Sequence, residues 1–219
     1  MSRERFRRKD LKRPDAFITT SQRLVQWGLT HQRNLAVAAG ALAVVLIVIA
    51  GMSALSAART RQANEELGAA LGQFQAEKYA EAATQLRAVA DAWSSSDVGK
   101  IARLYAADAQ IAAGNPELAV SDLQATLNDP PPADYLTQQA ALNLGVALET
   151  KEDFAGAAEQ YTKAAGLDGP YRALALLRQG RAYEKLGDKK RAEEAYEAFV
   201  RDFPQAPEVE VAEARLAAL

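Results

Sequence analysis

The side chains that carry most enzymatic chemistry are few in this sequence and far from one another. His31 is the single histidine, and no cysteine exists to join it in a metal site or a thiolate–imidazole pair. Without cysteine there is no disulfide either. No glycine-rich loop is placed to cradle a phosphate, and no Ser, His and Asp set is present. Aspartate and glutamate are plentiful, but the sequence places them on solvated faces of helical patterns. A carboxylate pair working as acid and base needs partial burial and a shifted proton affinity. The chain therefore reads as a non-enzyme without cofactor or metal, acting through surfaces. His31 stands at the edge of an apolar stretch, where an imidazole is interfacial filler.

The charge is unevenly spread. Residues 1–33 carry nine Lys/Arg against three Asp/Glu, a net of +6, while residues 59–219 carry seventeen against twenty-five, a net of −8. Ser2 to Arg13 reads S-R-E-R-F-R-R-K-D-L-K-R, which cannot form a core, so disorder is expected up to Pro14. Such a run could hold nucleic acid or anionic lipid. Its position favours topology instead: cationic residues stay on the cytoplasmic side of a spanning helix. Residues 1–34 therefore read as a basic cytoplasmic tail that binds no nucleic acid. A short helix over Thr20–Thr30 would lie on the inner leaflet, with Thr19, Thr20 and Ser21 available as caps and Trp27 at headgroup level.

After the tail comes Leu35 to Leu55, built only from Leu, Ala, Val, Ile, Gly, Met and Ser, with no charge between Arg33 and Arg59. A helix of that length spans roughly 30 Å, the thickness of a bilayer core. A helix buried in a soluble domain is rarely apolar on every face for so long. The rival reading is a secretory signal, since Ala54-Leu55-Ser56 offers a small-x-small cleavage pattern. The polar segment ahead of the run is long for a signal, and so is the apolar run itself, which favours an uncleaved anchor. The remaining residues, 59–219, suffice for one domain with its own core. They are rich in alanine and poor in aromatics, which favours helix over sheet.

That acidic region repeats itself. In Leu176 to Pro207, Gly180 marks a close helix approach, Leu186-Gly187-Asp188 a turn, and Ala192, Tyr196 and Phe199 one face of a second helix ended by Pro204. The same order returns upstream. Gly145 is followed by Phe154, Ala157, Tyr161 and Ala164, with Gly169-Pro170 closing the unit. Before it, Ala107 precedes the turn Gly114-Asn115-Pro116, then Ala119 and Leu123, with Thr126 where an apolar residue is expected and Pro130 to Pro132 at the close. The weakest copy has Ala70, Tyr79, Ala82, Leu86 and Val89, with Ser94 in place of the closing proline. The alanines Ala82, Ala119, Ala157 and Ala192 lie 37, 38 and 35 residues apart.

These residues resemble the tetratricopeptide repeat, a helix–turn–helix unit of about 34 residues. The fold expected is all-α: a single transmembrane helix, then an α-solenoid of about four such repeats, with Glu208 to Leu219 as a capping helix that uses Val209, Val211, Ala212, Leu216 and Leu219. The resemblance also implies a concave face lined by the first helix of each repeat. Carried over by position, its partner-binding residues are Leu67, Leu71 and Phe74; Ile101, Leu104, Asp108 and Ile111; Leu142, Val146 and Glu149; and Leu177, Arg181 and Glu184. The alternative at each position is packing inside the domain. A groove of this kind takes a polypeptide segment.

The layout of basic tail, anchor and repeat domain resembles that of the ancillary subunit of the bacterial Sec translocon. This resemblance rests on architecture and implies an inner-membrane protein with a periplasmic repeat domain. Its partners would be the translocon, periplasmic chaperones and exported clients. Two alternatives are an envelope scaffold for cell division or outer-membrane assembly, and a secreted soluble repeat protein if the apolar segment is cleaved.

Overall fold

The computed structural model describes Trp27 and residues 29–219. The tail expected to be disordered lies outside the described residues. So does most of the Thr20–Thr30 helix, of which Trp27, Leu29 and Thr30 are seen, and they are helical. Chain packing divides the protein into two units, Met1–Arg59 and Thr60–Leu219. Among the described residues the regular structure is entirely helical. The elements are α1 (Gln32–Gln75), α2 (Tyr79–Ala92), α3 (Asp97–Ala112), α4 (Pro116–Asn128), α5 (Asp134–Thr150), α6 (Phe154–Ala165), α7 (Arg172–Lys185), α8 (Lys189–Asp202) and α9 (Val209–Ala218).

In the first unit the apolar stretch is helical throughout, and its side chains are exposed among the described residues. Val37, Ile47, Met52 and Leu55 are 66–71% exposed. The one helix long and apolar enough to cross a membrane among the described residues is therefore α1. Trp27 stacks on His31 at a ring separation of 5.0 Å, and Nδ1 of His31 lies 3.0 Å from the Trp27 carbonyl.

In the second unit, consecutive helices pack as antiparallel hairpins. The turn between the two helices of each repeat is built the same way four times. Glu77, Gly114, Glu152 and Gly187 all adopt positive φ, between 60° and 81°. The next residue closes the turn by donating its N–H five residues back: Lys78 to Gln73, Asn115 to Gln110, Asp153 to Leu148 and Asp188 to Tyr183, at 2.8–3.0 Å. This is the helix-ending bond that accompanies a left-handed residue. The second helices then start from local caps. Pro116 takes the first position of α4, where its missing N–H costs nothing. Asp153 and Asp188 accept from the backbone N–H of Gly156 and Arg191.

The core follows the alanine-and-aromatic stripe read from the sequence. Ala82, Leu86, Ala119, Leu123, Ala157, Tyr161, Ala192, Tyr196 and Phe199 are all fully buried. In the last two repeats the first helix presents a glycine to a tyrosine on its own second helix. A Cβ added at Gly145 would stand 2.4 Å from the Tyr161 ring, and one at Gly180 would stand 2.6 Å from the Tyr196 ring. The close approach expected at Gly180 is therefore real. At the open end, α9 covers the last repeat with Val209, Ala212, Leu216 and Leu219. Val211 points outward and is 44% exposed, so it is not part of the cap.

One expectation fails here. Not every carboxylate sits on a solvated face. Asp122 is 4% exposed and is held by Arg87 from α2 and by Gln110 Nε2 at 3.2 Å. Thr126, also buried, donates its hydroxyl proton to the Asp122 carbonyl at 2.8 Å. This explains how a polar residue occupies a core position. Its donor is satisfied within one helical turn.

Candidate functional site

The first helices of successive repeats adjoin, since α3 touches α5 and α5 touches α7. Their shared face is the surface on which a groove was expected, and four of the expected residues do not reach it. Leu67, Leu104, Leu142 and Leu177 are buried in the hydrophobic core, with exposures of 9% or less. Each belongs to a core cluster that also contains residues of its own second helix. The remaining positions stay partly or fully exposed: Leu71, Phe74, Ile101, Asp108, Ile111, Val146, Glu149, Arg181 and Glu184.

At one end of this face the residues are apolar and aromatic. Phe74 meets Tyr79 and Tyr105 edge-on, at ring separations of 5.4 and 6.5 Å. Leu71 and Ile101 border the same cluster. Edge-to-face rings of this kind are favourable beyond their area, because the positive ring edge meets the negative face.

Toward the other end the face is charged, and its carboxylates Glu149 and Glu184 are paired with arginines. Arg178 Nη1 is 3.3 Å from Glu149 Oε2, and the Tyr161 hydroxyl donates to the same carboxylate at 2.5 Å. Arg215 of α9 reaches Glu184 at 3.1 Å. Burial raises the proton affinity of Tyr161, and the Glu149 carboxylate adds to the effect. Burial, with Glu184 next in size, pushes the Tyr196 phenol up to about 12.

Asp108 lies between the two ends. Asn143 Nδ2 donates to its Oδ1 at 2.5 Å, and Gln139 Nε2 to its Oδ2 at 2.8 Å. Gln139 is oriented in turn by the Tyr171 hydroxyl, which donates to its Oε1 at 3.0 Å. Fully buried Gln138 fixes Tyr171. Its Oε1 accepts the Tyr171 backbone N–H at 3.1 Å, while its Nε2 donates to the Ala164 and Leu167 carbonyls. The approach is tight, because a Cβ at Gly169 would fall 2.3 Å from Gln138 Oε1. Burial raises Asp108 to about 6, against the two amide hydrogen bonds that favour its ionised form. Its charge in turn raises Tyr105 and Tyr171, after burial, and Tyr135 contributes to both.

Sequence spacing alone does not single out Tyr105, Tyr135, Gln139, Asn143 or Tyr171. A signal exists, since Tyr105 and Asp108 are three apart and Gln139 and Asn143 four apart. Each pair therefore shares a helix face. Which face meets the neighbouring repeat is a tertiary fact. Among the described residues no group of His, Cys, Asp and Glu is arranged to hold a metal ion.

The tetratricopeptide repeat family matches residues 67–135, 106–171, 142–207 and 177–219 in overlapping spans, and the chain belongs to that family. A solved structure of MamA from AMB-1 is similar in fold, with a TM-score of 0.55 at 20% identity, covering 69% of this chain and 78% of MamA. No curated protein matches. The repeats define a protein–protein interaction module whose partners are proteins.

Proposed function

We propose that this protein is a membrane-anchored interaction module of a bacterial envelope. Leu35–Leu55 crosses the inner membrane, residues 1–34 stay in the cytoplasm, and residues 59–219 work in the periplasm. The observation that carries this reading is the apolar stretch of α1, which none of the other described residues covers. An uncovered apolar surface of that length is satisfied by lipid. Nine basic residues precede it, whereas Arg59 and Arg61 are soon followed by Glu65 and Glu66, a bias that holds the amino terminus inside. Ala54, Leu55 and Ser56 lie within a regular helix, which supports an uncleaved anchor over a processed signal.

On this reading the shared face of α3, α5 and α7 receives polypeptide segments. Layout favours an ancillary role at the Sec translocon, contacting exported proteins and periplasmic chaperones. Crosslinking from exposed positions of that face in intact membranes tests the assignment. Adducts with translocon subunits and nascent exported chains are expected, and adducts restricted to folded division or outer-membrane proteins would replace it by an envelope scaffold. A reporter active only in the periplasm, fused after Leu219, should be active. The mature protein should have the intact mass of the unprocessed chain.

A further inference from the structure

Asp108 differs from the other carboxylates expected on the shared face. Glu149 and Glu184 each have an arginine within 3.3 Å. No described ion pair includes Asp108, which is held by two neutral amides, and no cation is among the groups that set its proton affinity. A carboxylate taken partly out of water without a cation is held at a cost, which a cation arriving from outside removes. The surroundings suit such a visitor. Tyr105 lies one turn before Asp108 on α3, Tyr135, 49% exposed, lies one turn before Gln139 on α5, and the Tyr171 hydroxyl donates to Gln139. Phenol rings beside a carboxylate attract an ammonium or guanidinium group through their negative faces. The Tyr171–Gln139–Asp108–Asn143 hydrogen-bond chain fixes the carboxylate in advance, so little order is lost on binding. On the α1 side, Phe74 and Leu71 continue the surface with apolar contacts.

We propose that Asp108, with Tyr105, Tyr135 and Tyr171, receives the lysine or arginine side chain of a bound polypeptide segment whose flanking residues are apolar. The inference rests on the shared face being a polypeptide groove and names what that groove selects. A segment with these features presents one cation to the carboxylate and lays its neighbours on the aromatic end.

The test uses the full chain in detergent and heptapeptide pools with randomised flanks and a fixed central residue: lysine, arginine, norleucine or glutamate. Retention of the lysine and arginine pools should exceed that of the norleucine pool by about tenfold, the scale of a partly desolvated cation–carboxylate and cation–π contact. In Asp108→Asn that ratio should fall to about one. In Tyr135→Ala, an exposed position where folding is not at stake, the ratio should fall severalfold. Equal retention of lysine and norleucine by the wild type, preference for the glutamate pool, or a preference that survives Asp108→Asn would overturn the proposal. If Asp108→Asn does not fold, Tyr135→Ala decides, and an unchanged ratio there refutes the proposal. Should no pool bind the wild type, the groove reading itself fails, and this inference with it.

Discussion

The first two repeats and the last two close the same hairpin with different side chains. In the first two, an alanine on the first helix and a leucine on the second are buried in one core cluster: Ala70 with Leu86, and Ala107 with Leu123. In the last two, glycine faces tyrosine: Gly145 with Tyr161, and Gly180 with Tyr196. Volume lost on one helix is regained on the other, as close packing requires. The larger second partner brings a phenol into the interior. One of these phenols is satisfied by Glu149, which Arg178 also holds. The last two repeats are thus tied to each other at Glu149 by polar bonds that the early ones lack at this position, whereas the buried Tyr196 hydroxyl makes no hydrogen bond among the described residues. The early repeats instead leave Leu71, Phe74, Tyr105 and Asp108 partly open on the shared face.

The sharpest way to break this comparison is Gly180→Leu. The added side chain would be driven into the Tyr196 ring, and overpacking of this kind costs about 1–3 kcal/mol or more. Thermal melting of the full chain should show loss of the last repeat. An unchanged melting temperature would remove Gly180 from the crossing. Converting the pair to the early pattern, with Gly180→Ala and Tyr196→Leu together, should recover most of what Gly180→Ala alone loses, giving a coupling of about 0.5–3 kcal/mol. Additive effects would show that the two positions do not compensate.

Leu104 and Leu71 give the next contrast. Leu104 is fully buried, so Leu104→Ala should cost about 2–5 kcal/mol. Leu71, partly exposed on the shared face, should cost far less as Leu71→Ser. Comparable losses in denaturant melts would make both of them core residues.

Asp108 makes a pH-dependent prediction. Its affinity for a proton is raised by burial in the folded chain, to about 6. The folded state therefore binds that proton more tightly than the unfolded state. The stabilisation is complete below the ordinary aspartate range and is lost as pH rises through about 6. The neighbouring phenols of Tyr105 and Tyr171 are pushed upward and do not titrate in this window. Asp108→Asn lacks the effect, so its melting temperature should gain on the wild type between about pH 4 and about pH 6.5. A difference that stays constant over that range would mean the carboxylate is well solvated.

The smallest effects concern the turns. Gly114 and Gly187 occupy the left-handed region at no cost, while Glu77 and Glu152 hold it with side chains. Gly187→Ala should destabilise by about 1–2 kcal/mol, and Glu152→Gly should be neutral or stabilising by less than about 1 kcal/mol. Equal penalties from both changes would indicate that the two turns are not equivalent.

Much of this molecule is local and so was legible in the sequence. The alanine spacing, the turn residues and the glycine at each late crossing are set by helix period, backbone freedom and side-chain size, all of which are properties of short stretches. The helix over the apolar run from Leu35 to Leu55 is equally local, since its length and lack of charge are properties of one stretch. A single stretch does not contain the rotation of each first helix against its neighbours. That rotation turns Leu104, Leu142 and Leu177 inward while Tyr105, Asn143 and Arg178 face the preceding repeat. The uncompensated carboxylate of Asp108 is a consequence of it. The site arises from amides and phenols supplied by α5 and by the residue that precedes α7, far along the chain from Asp108 itself. Only the packing of three repeats brings them together.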